Sequence, residues 1–244
     1  MFGVDKRVIY GILIVMAIST LFSNSTSDGA ILSLLVSIPG VLLAMTFHEF
    51  AHALAADRLG DDTPRKQGRL TLNPLAHIEP FGILMLLFVR VGWGRPVQVN
   101  PRNYDRRFSV EKSDAIVSLA GPLMNFFLAI VLTIIYCAII KFASVQFMFT
   151  TVGVVIMAII SDAIIVNIGL GVFNLIPLPP LDGSKAILPV LPYKAKNWLQ
   201  NNEQIFYTIF LVLWITGLAG KFISPIIEMM ATQILSFGQF IFGL

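Results

Sequence analysis

Hydrophobic residues along this chain come in long runs broken by short polar stretches, the pattern of a polypeptide that crosses a bilayer several times. A helix needs roughly 20 apolar residues to span about 30 Å of hydrocarbon. Runs at 8–22, 30–56, 114–140, 150–176 and 205–223 reach or approach that length. The stretch 224–244 is apolar apart from Glu228, Gln233 and Gln239, so it reads as a sixth span or as a helix lying in the interface. The run 81–92, FGILMLLFVRVG, is too short to cross. WGRPVQVN follows it and alternates like a strand after a Gly/Pro turn. Segment 80–100 is therefore expected to form a re-entrant hairpin, tolerated in lipid only where protein or a wet cavity covers its backbone. The expected fold is an all-α integral membrane protein of five to six transmembrane helices, with a small membrane-embedded β-hairpin element between the second and third helices. It reads as one domain over 1–244: an N-terminal helix in 1–29, a core over about 40–190, and C-terminal helices in 200–244. The first run reads as a retained helix rather than a signal peptide, because no small-x-small cleavage site follows it.

Composition agrees with a membrane solvent. The chain is 56% hydrophobic and 13% charged, with a mean hydropathy of +0.81, whereas a soluble domain carries about 25% charged residues. The net charge of +3 comes without a basic patch interleaved with aromatics, which argues against a nucleic-acid partner. The single cysteine, Cys137, excludes an intrachain disulfide and a thiol metal cluster, and reads as a small core residue. Fifteen of the seventeen Lys and Arg residues fall before the first span, between the second and third, or between the fourth and fifth. Those connections share one side if 81–92 enters the membrane and returns, and the positive-inside rule makes that side cytoplasmic.

The second run, GVLLAMTFHEFAHALAADRLG at 40–60, carries His48, Glu49 and His52 in its middle. A charge at that depth costs at least about 2.5 kcal/mol. Residues four apart share a helix face, so His48 and His52 can grip one ion, with Glu49 beside the water that ion holds. This is the H-E-x-x-H spacing of zinc peptidases. The alternative is a set of polar residues lining a proton path. A catalytic zinc site usually has three protein ligands and an open position, so a third partner is required. His77 is the one other histidine, and by depth the carboxylates narrow to Asp162, Asp182 and Glu228. Asp182 is favoured: it lies in NLIPLPPLDGS, 174–184, an irregular bend that follows an inward-running span at the depth of the histidines. Taken alone, that bend is an ordinary Pro/Asp/Gly turn. Asp162 reads as a helix–helix or water-cavity contact, and Glu228 as interfacial.

TFHEFAH in a membrane helix, with FNLIPLPPLDG far downstream, resembles the site-2 protease family of intramembrane zinc metalloproteases. AGPLMNF, 120–126, resembles that family's G-P-x-x-N segment. The resemblance covers roughly 40–190 and implies a compact member that consists of the core alone. It implies one catalytic Zn2+ held by His48, His52 and Asp182, with Glu49 as the catalytic acid/base. It also implies an activity: cleavage of peptide bonds in or near the transmembrane segments of other membrane proteins. The multi-pass chain would then sit in the cell membrane with its site toward the cytoplasm. A helix hides its carbonyls in internal hydrogen bonds, so a substrate must unwind locally. GRLTLN, 68–73, alternates Arg69, Thr71 and Asn73 against Leu70 and Leu72, and reads as a clamp for an extended peptide or as a surface loop. Asn125 and Asn174 are candidates for an oxyanion or substrate-backbone contact, or for helix–helix hydrogen bonds. His77 is a loop residue, a ligand of the open metal position, or a substrate-binding residue. Two rivals remain. A metal-ion or proton transporter would spread polar residues over several helices, whereas here they concentrate at 48–52 and 174–182. An inactive homologue that binds membrane proteins would lack a ligand or the glutamate, and none is missing.

Overall fold

The computed structural model describes residues 28–79, 82 and 94–244. The first apolar run, 8–22, and most of the expected hairpin lie outside the described residues. In chain order the helices are α1 (Asp28–Arg58), α2 (Thr63–Lys66), α3 (Pro74–His77), α4 (Val110–Phe142), α5 (Val145–Met148), α6 (Thr151–Asn174), α7 (Asp182–Ala186), α8 (Tyr193–Asn201), α9 (Glu203–Ile215) and α10 (Leu218–Phe242). Four of them, α1, α4, α6 and α10, are long and apolar enough to cross a membrane. Polar side chains set their starts where the sequence allows. Ser109 Oγ accepts from Lys112 N at the head of α4, and Thr150 Oγ1 accepts from Gly153 N at the head of α6.

The C-terminal part departs from the expected runs 205–223 and 224–244. The chain breaks at Gly217, whose φ of 71° is left-handed and ends α9 with a hydrogen bond from Gly217 N to Trp214 O. The 13 residues of α9 rise only about 20 Å, short of a bilayer. The long apolar helix is instead α10, which runs through Pro225 and Glu228 without a break. Among the described residues there are thus four candidate spans, and the first run, 8–22, is not among those residues.

No strand occurs among the described residues, which corrects the strand expected in WGRPVQVN over its described part, 94–100; most of the rest of the 80–100 hairpin lies outside the described residues. Three backbone donors there are taken by partners outside the segment. Arg95 N donates to His77 O at 2.8 Å, Val97 N to Glu49 Oε2 at 2.8 Å, and Asn100 N to Asp61 Oδ2 at 2.6 Å; Pro96 has none. Those donors are not free for a regular strand ladder. GRLTLN is likewise turn and coil, and Asn73 Oδ1 caps α3 by accepting from Leu75 N.

Helices α1, α4 and α6 pack against one another, and α10 packs on α4 and α6. Ala129, Ile164, Ile168 and Val172 form the buried core of that stack, with Ile223, Ile227 and Ile234 of α10 laid against it. Small residues bring the helices close. A Cβ on Gly40 of α1 would lie 2.8 Å from Cα of Ala163 on α6, and one on Gly238 of α10 would meet Thr133 and Cys137 of α4. Cys137 is fully buried in that contact, as its sequence reading expects. At the far end of α1 a second cluster of Ala56, Leu59, Tyr104 and Val117 seats the segment that leads into α4.

Asp61 organises that end. It is fully buried, and its carboxylate accepts from Thr63 N, Thr63 Oγ1, Asn103 Nδ2 and Asn100 N. Burial pushes its pKa up, but these four hydrogen bonds outweigh burial and hold it below the usual carboxylate value. The residue just past α1 thereby fixes where 100–103 lies, and so where 94–100 passes over Glu49.

Candidate metal centre

His48 and His52 lie near the end of α1, both buried and one turn apart. The third member arrives from a segment 134 residues downstream of His48. After α6 the chain turns through 175–181 and starts α7 at Asp182. Gly183 makes that turn possible: a Cβ there would lie 2.4 Å from Leu175 O and 2.5 Å from Ile176 O. Without a side chain, the start of α7 lies flat on the end of α6 and points Asp182 at the two imidazoles.

The three reach one spot. Asp182 Oδ2 is 3.1 Å from His48 Nε2 and 3.2 Å from His52 Nε2, and the two Nε2 atoms are 3.0 Å apart. Among the described residues they are the group of side chains that could hold a metal ion. Their tautomers follow from what lies behind each ring. His52 Nδ1 is 2.6 Å from Val117 O, which only accepts, so His52 Nδ1 carries the hydrogen. His48 Nδ1 is 2.6 Å from Asn125 Oδ1. Asn125 Nδ2 already donates to Ala44 O and Asn167 Oδ1, both at 3.0 Å, so its oxygen faces His48 and His48 Nδ1 carries the hydrogen. Both Nε2 atoms therefore present lone pairs to each other and to a carboxylate oxygen. Three acceptors converging with no donor between them repel unless a cation lies among them.

The spacing fits such a cation. Tetrahedral zinc with bonds of about 2.05 Å places its ligand atoms roughly 3.3 Å apart, close to the observed edges. Space is left as well. A Cβ on Gly121 of α4 would lie 2.4 Å from His52 Nε2 and 2.7 Å from His48 Nε2, where any side chain would fill the place of an ion.

Glu49 is partly buried, and its Oε2 accepts from Val97 N. The other residues singled out in the sequence divide. Asn125 is fully buried behind the His48 ring, with its amide used by His48, Ala44 and Asn167. Asn174 donates to Leu170 O of its own helix, and Asn73 is exposed at the start of α3. His77 is buried in the 68–79 loop, where its Nε2 donates to Thr71 O and its carbonyl accepts from Arg95 N. Asp162 and Glu228 are not part of the cluster, and Glu228 is exposed. Sequence reasoning missed Asn167 and the Val97 amide, and assigned Gly121 no role beyond its place in AGPLMNF. Asn167 is one more polar residue in an apolar span, a signal that was available. Backbone groups such as Val97 N–H carry no residue signal at all.

Comparison with known proteins adds to this geometry. Residues 36–217 match peptidase family M50. YwhC of Bacillus subtilis strain 168, provisionally named a zinc metalloprotease, is 35% identical over 202 residues, 83% of this chain and 90% of YwhC. Rip2 of Mycobacterium tuberculosis strain H37Rv, provisionally named likewise, is 31% identical over 182 residues, covering 73% of this chain and 66% of Rip2. Rip2 of Mycolicibacterium smegmatis is 30% identical over 193 residues, 78% of this chain and 70% of that protein. No solved structure matches the chain with statistical significance. The family match runs from within α1 to the break at Gly217 and takes in every helix that builds the cluster, so the chain belongs to peptidase family M50, the site-2 protease family.

Proposed function

We propose that in this multi-pass intramembrane zinc metalloprotease His48, His52 and Asp182 hold the metal and Glu49 is the catalytic acid/base. The single observation that carries the assignment is the convergence of three lone-pair atoms within 3.2 Å of one another. When bound there, zinc supplies a Lewis acid for the scissile carbonyl and for an attacking water. Glu49 accepts that water's proton and returns it to the leaving amine. Its Oε2 stays on Val97 N, which leaves Oε1 to carry the proton. Asn125 and the carbonyl of Val117 act behind the rings, fixing both tautomers so that the Nε2 lone pairs face inward. His48 and His52 are buried, while Asp182 stays partly exposed.

The substrate is a membrane protein cut within or beside a transmembrane segment that has unwound locally. Of the polar residues outside the cluster, Asn73 and Asn174 are the ones we assign to contact with substrate backbone; Asn125 and His77 act by position. The site lies toward the cytoplasmic face of the cell membrane. Supporting this, ten of the basic residues fall between Arg58 and Lys112, at the ends of α1 and α4, and His52 is six residues, about 9 Å, from Arg58.

The deciding experiment is co-expression with a panel of single-span membrane proteins, comparing wild type with Glu49→Gln, with and without a chelator. A fragment made by wild type, absent with Glu49→Gln and lost on chelation is the expected result. Undiminished cutting by Glu49→Gln would remove Glu49 from its role. Metal flux into proteoliposomes without any cutting would favour a transporter instead.

A further inference from the structure

A cleft of about 520 Å3 opens between the 67–69 turn, α3 and segment 95–98. Its walls include Gln67, Arg69, Leu75, Arg95, Pro96 and Gln98. We propose that this cleft is an anion subsite in which Arg69 and Arg95 receive an acidic side chain of the substrate next to the segment being cut. The inference rests on the protease reading and names a feature of the substrate that the metal cluster leaves open.

Arg69 is 7% exposed and is held in place, its Nη1 donating to the carbonyls of Ala76 and Arg95. Arg95 is exposed on the rim. Among the described residues neither forms an ion pair, although Arg65, Lys66, Arg107 and Lys196 each do. Burial, and then the like charge of Arg95, lower the Arg69 pKa, while the charge of Glu49 raises it. A guanidinium buried without an adjacent carboxylate is costly unless something supplies the counter-charge. Its planar fork matches a carboxylate. The volume is that of a ligand pocket and exceeds what one carboxylate needs, so a stretch of chain fits with it. Position ties the cleft to the chemistry. The segment that carries Arg95, Pro96 and Gln98 also gives Val97 N to Glu49. Pro96 has no N–H, so a peptide passing this rim cannot form an unbroken ladder with it, and recognition falls to side chains.

The test uses full-length Glu49→Gln protein in nanodiscs of zwitterionic lipid, so that peptides bind without being cut. The probes are short Ala/Ser/Val peptides that carry one central Asp, Asn or Lys. The Asp peptide is expected to bind about ten-fold more tightly than the Asn peptide. Adding Arg95→Gln should remove that preference, Arg95→Lys should restore part of it, and Arg95→Glu should turn it toward the Lys peptide. Zinc content equal to that of the parent shows that each variant is folded. Equal binding of the three peptides, or an Asp preference that survives Arg95→Glu, overturns the proposal. So does loss of the preference in nanodiscs of anionic lipid, which would give the cleft to a headgroup phosphate. Because the readout is binding, it stands or falls separately from the co-expression assay.

Discussion

His48 donates its Nδ1 hydrogen to Oδ1 of Asn125 across 2.6 Å, from one membrane helix to the next. The contact is fixed from behind, since Asn125 Nδ2 donates to Ala44 O and to Asn167 Oδ1, and Asn167 Nδ2 donates to Ala163 O. Three helices, α1, α4 and α6, thus agree on one orientation of one imidazole. Partners behind a metal-binding histidine set its tautomer and its basicity. Asn125→Leu is expected to lower zinc affinity by about 10- to 100-fold. Chelator competition on purified protein measures this, with Asn167→Leu giving a smaller loss because it acts one bond further away. Unchanged affinity in Asn125→Leu would show that the ring needs no such support.

Gly121→Ala puts a methyl group where the structure leaves 2.4 Å to His52 Nε2. The imidazoles must shift or the ion must be excluded. Zinc content by elemental analysis is expected to fall to near zero, with a stability loss of about 1–3 kcal/mol from overpacking. Gly220→Ala, at a position with nothing within 4 Å of its Cβ, is the control and should retain zinc.

Asp182→Asn keeps the size of the side chain and removes its charge. Metal retention should drop sharply, and thermal stability should stop responding to zinc or to a chelator. In the parent protein, free zinc at about 100 times its Kd adds roughly 2.7 kcal/mol to the folded state, and chelation removes it. A parent melting temperature unmoved by chelation would argue that the cluster does not hold zinc.

Asp61 gives the pH prediction. Its pKa is lowered in the folded state, so its contribution to stability is fully present above the unfolded value of about 4. That contribution is lost as pH falls through the folded value. Melting temperature should therefore be insensitive to this group from neutrality down to about pH 5 and should fall below about pH 4. Asp61→Ala, which removes the acceptor for four hydrogen bonds, should cost roughly 3 kcal/mol near neutrality and lack that part of the acid limb. Activity should fall too, because Asn100 is tied to Asp61 three residues beyond Val97, the donor to Glu49.

Much of this molecule was written in residue pattern. Apolar run length marked α1, α4 and α6 to within a few residues, because lipid demands long uninterrupted helices. The C-terminal runs were harder. Ser224, Pro225 and Glu228 look like a break, yet the helix ends at Gly217, where a left-handed φ outweighs polarity. The strand expected in WGRPVQVN failed for a different reason. Alternation records which side chains are apolar and says nothing about who takes the backbone donors, and here His77 O, Glu49 and Asp61 took three of them.

By itself, the sequence determined the solvent, the long helices and the shared face of His48 and His52, because periodicity and hydrophobicity act over neighbouring residues. Only the tertiary structure decided that Asp182, 134 residues beyond His48, stands 3.1 Å from its ring. It alone decided that Asn125 orients that ring and that Gly121 leaves the space beside it. Those relationships join atoms that are far apart along the chain, and only the packing of α1, α4, α6 and α7 brings them within bonding reach.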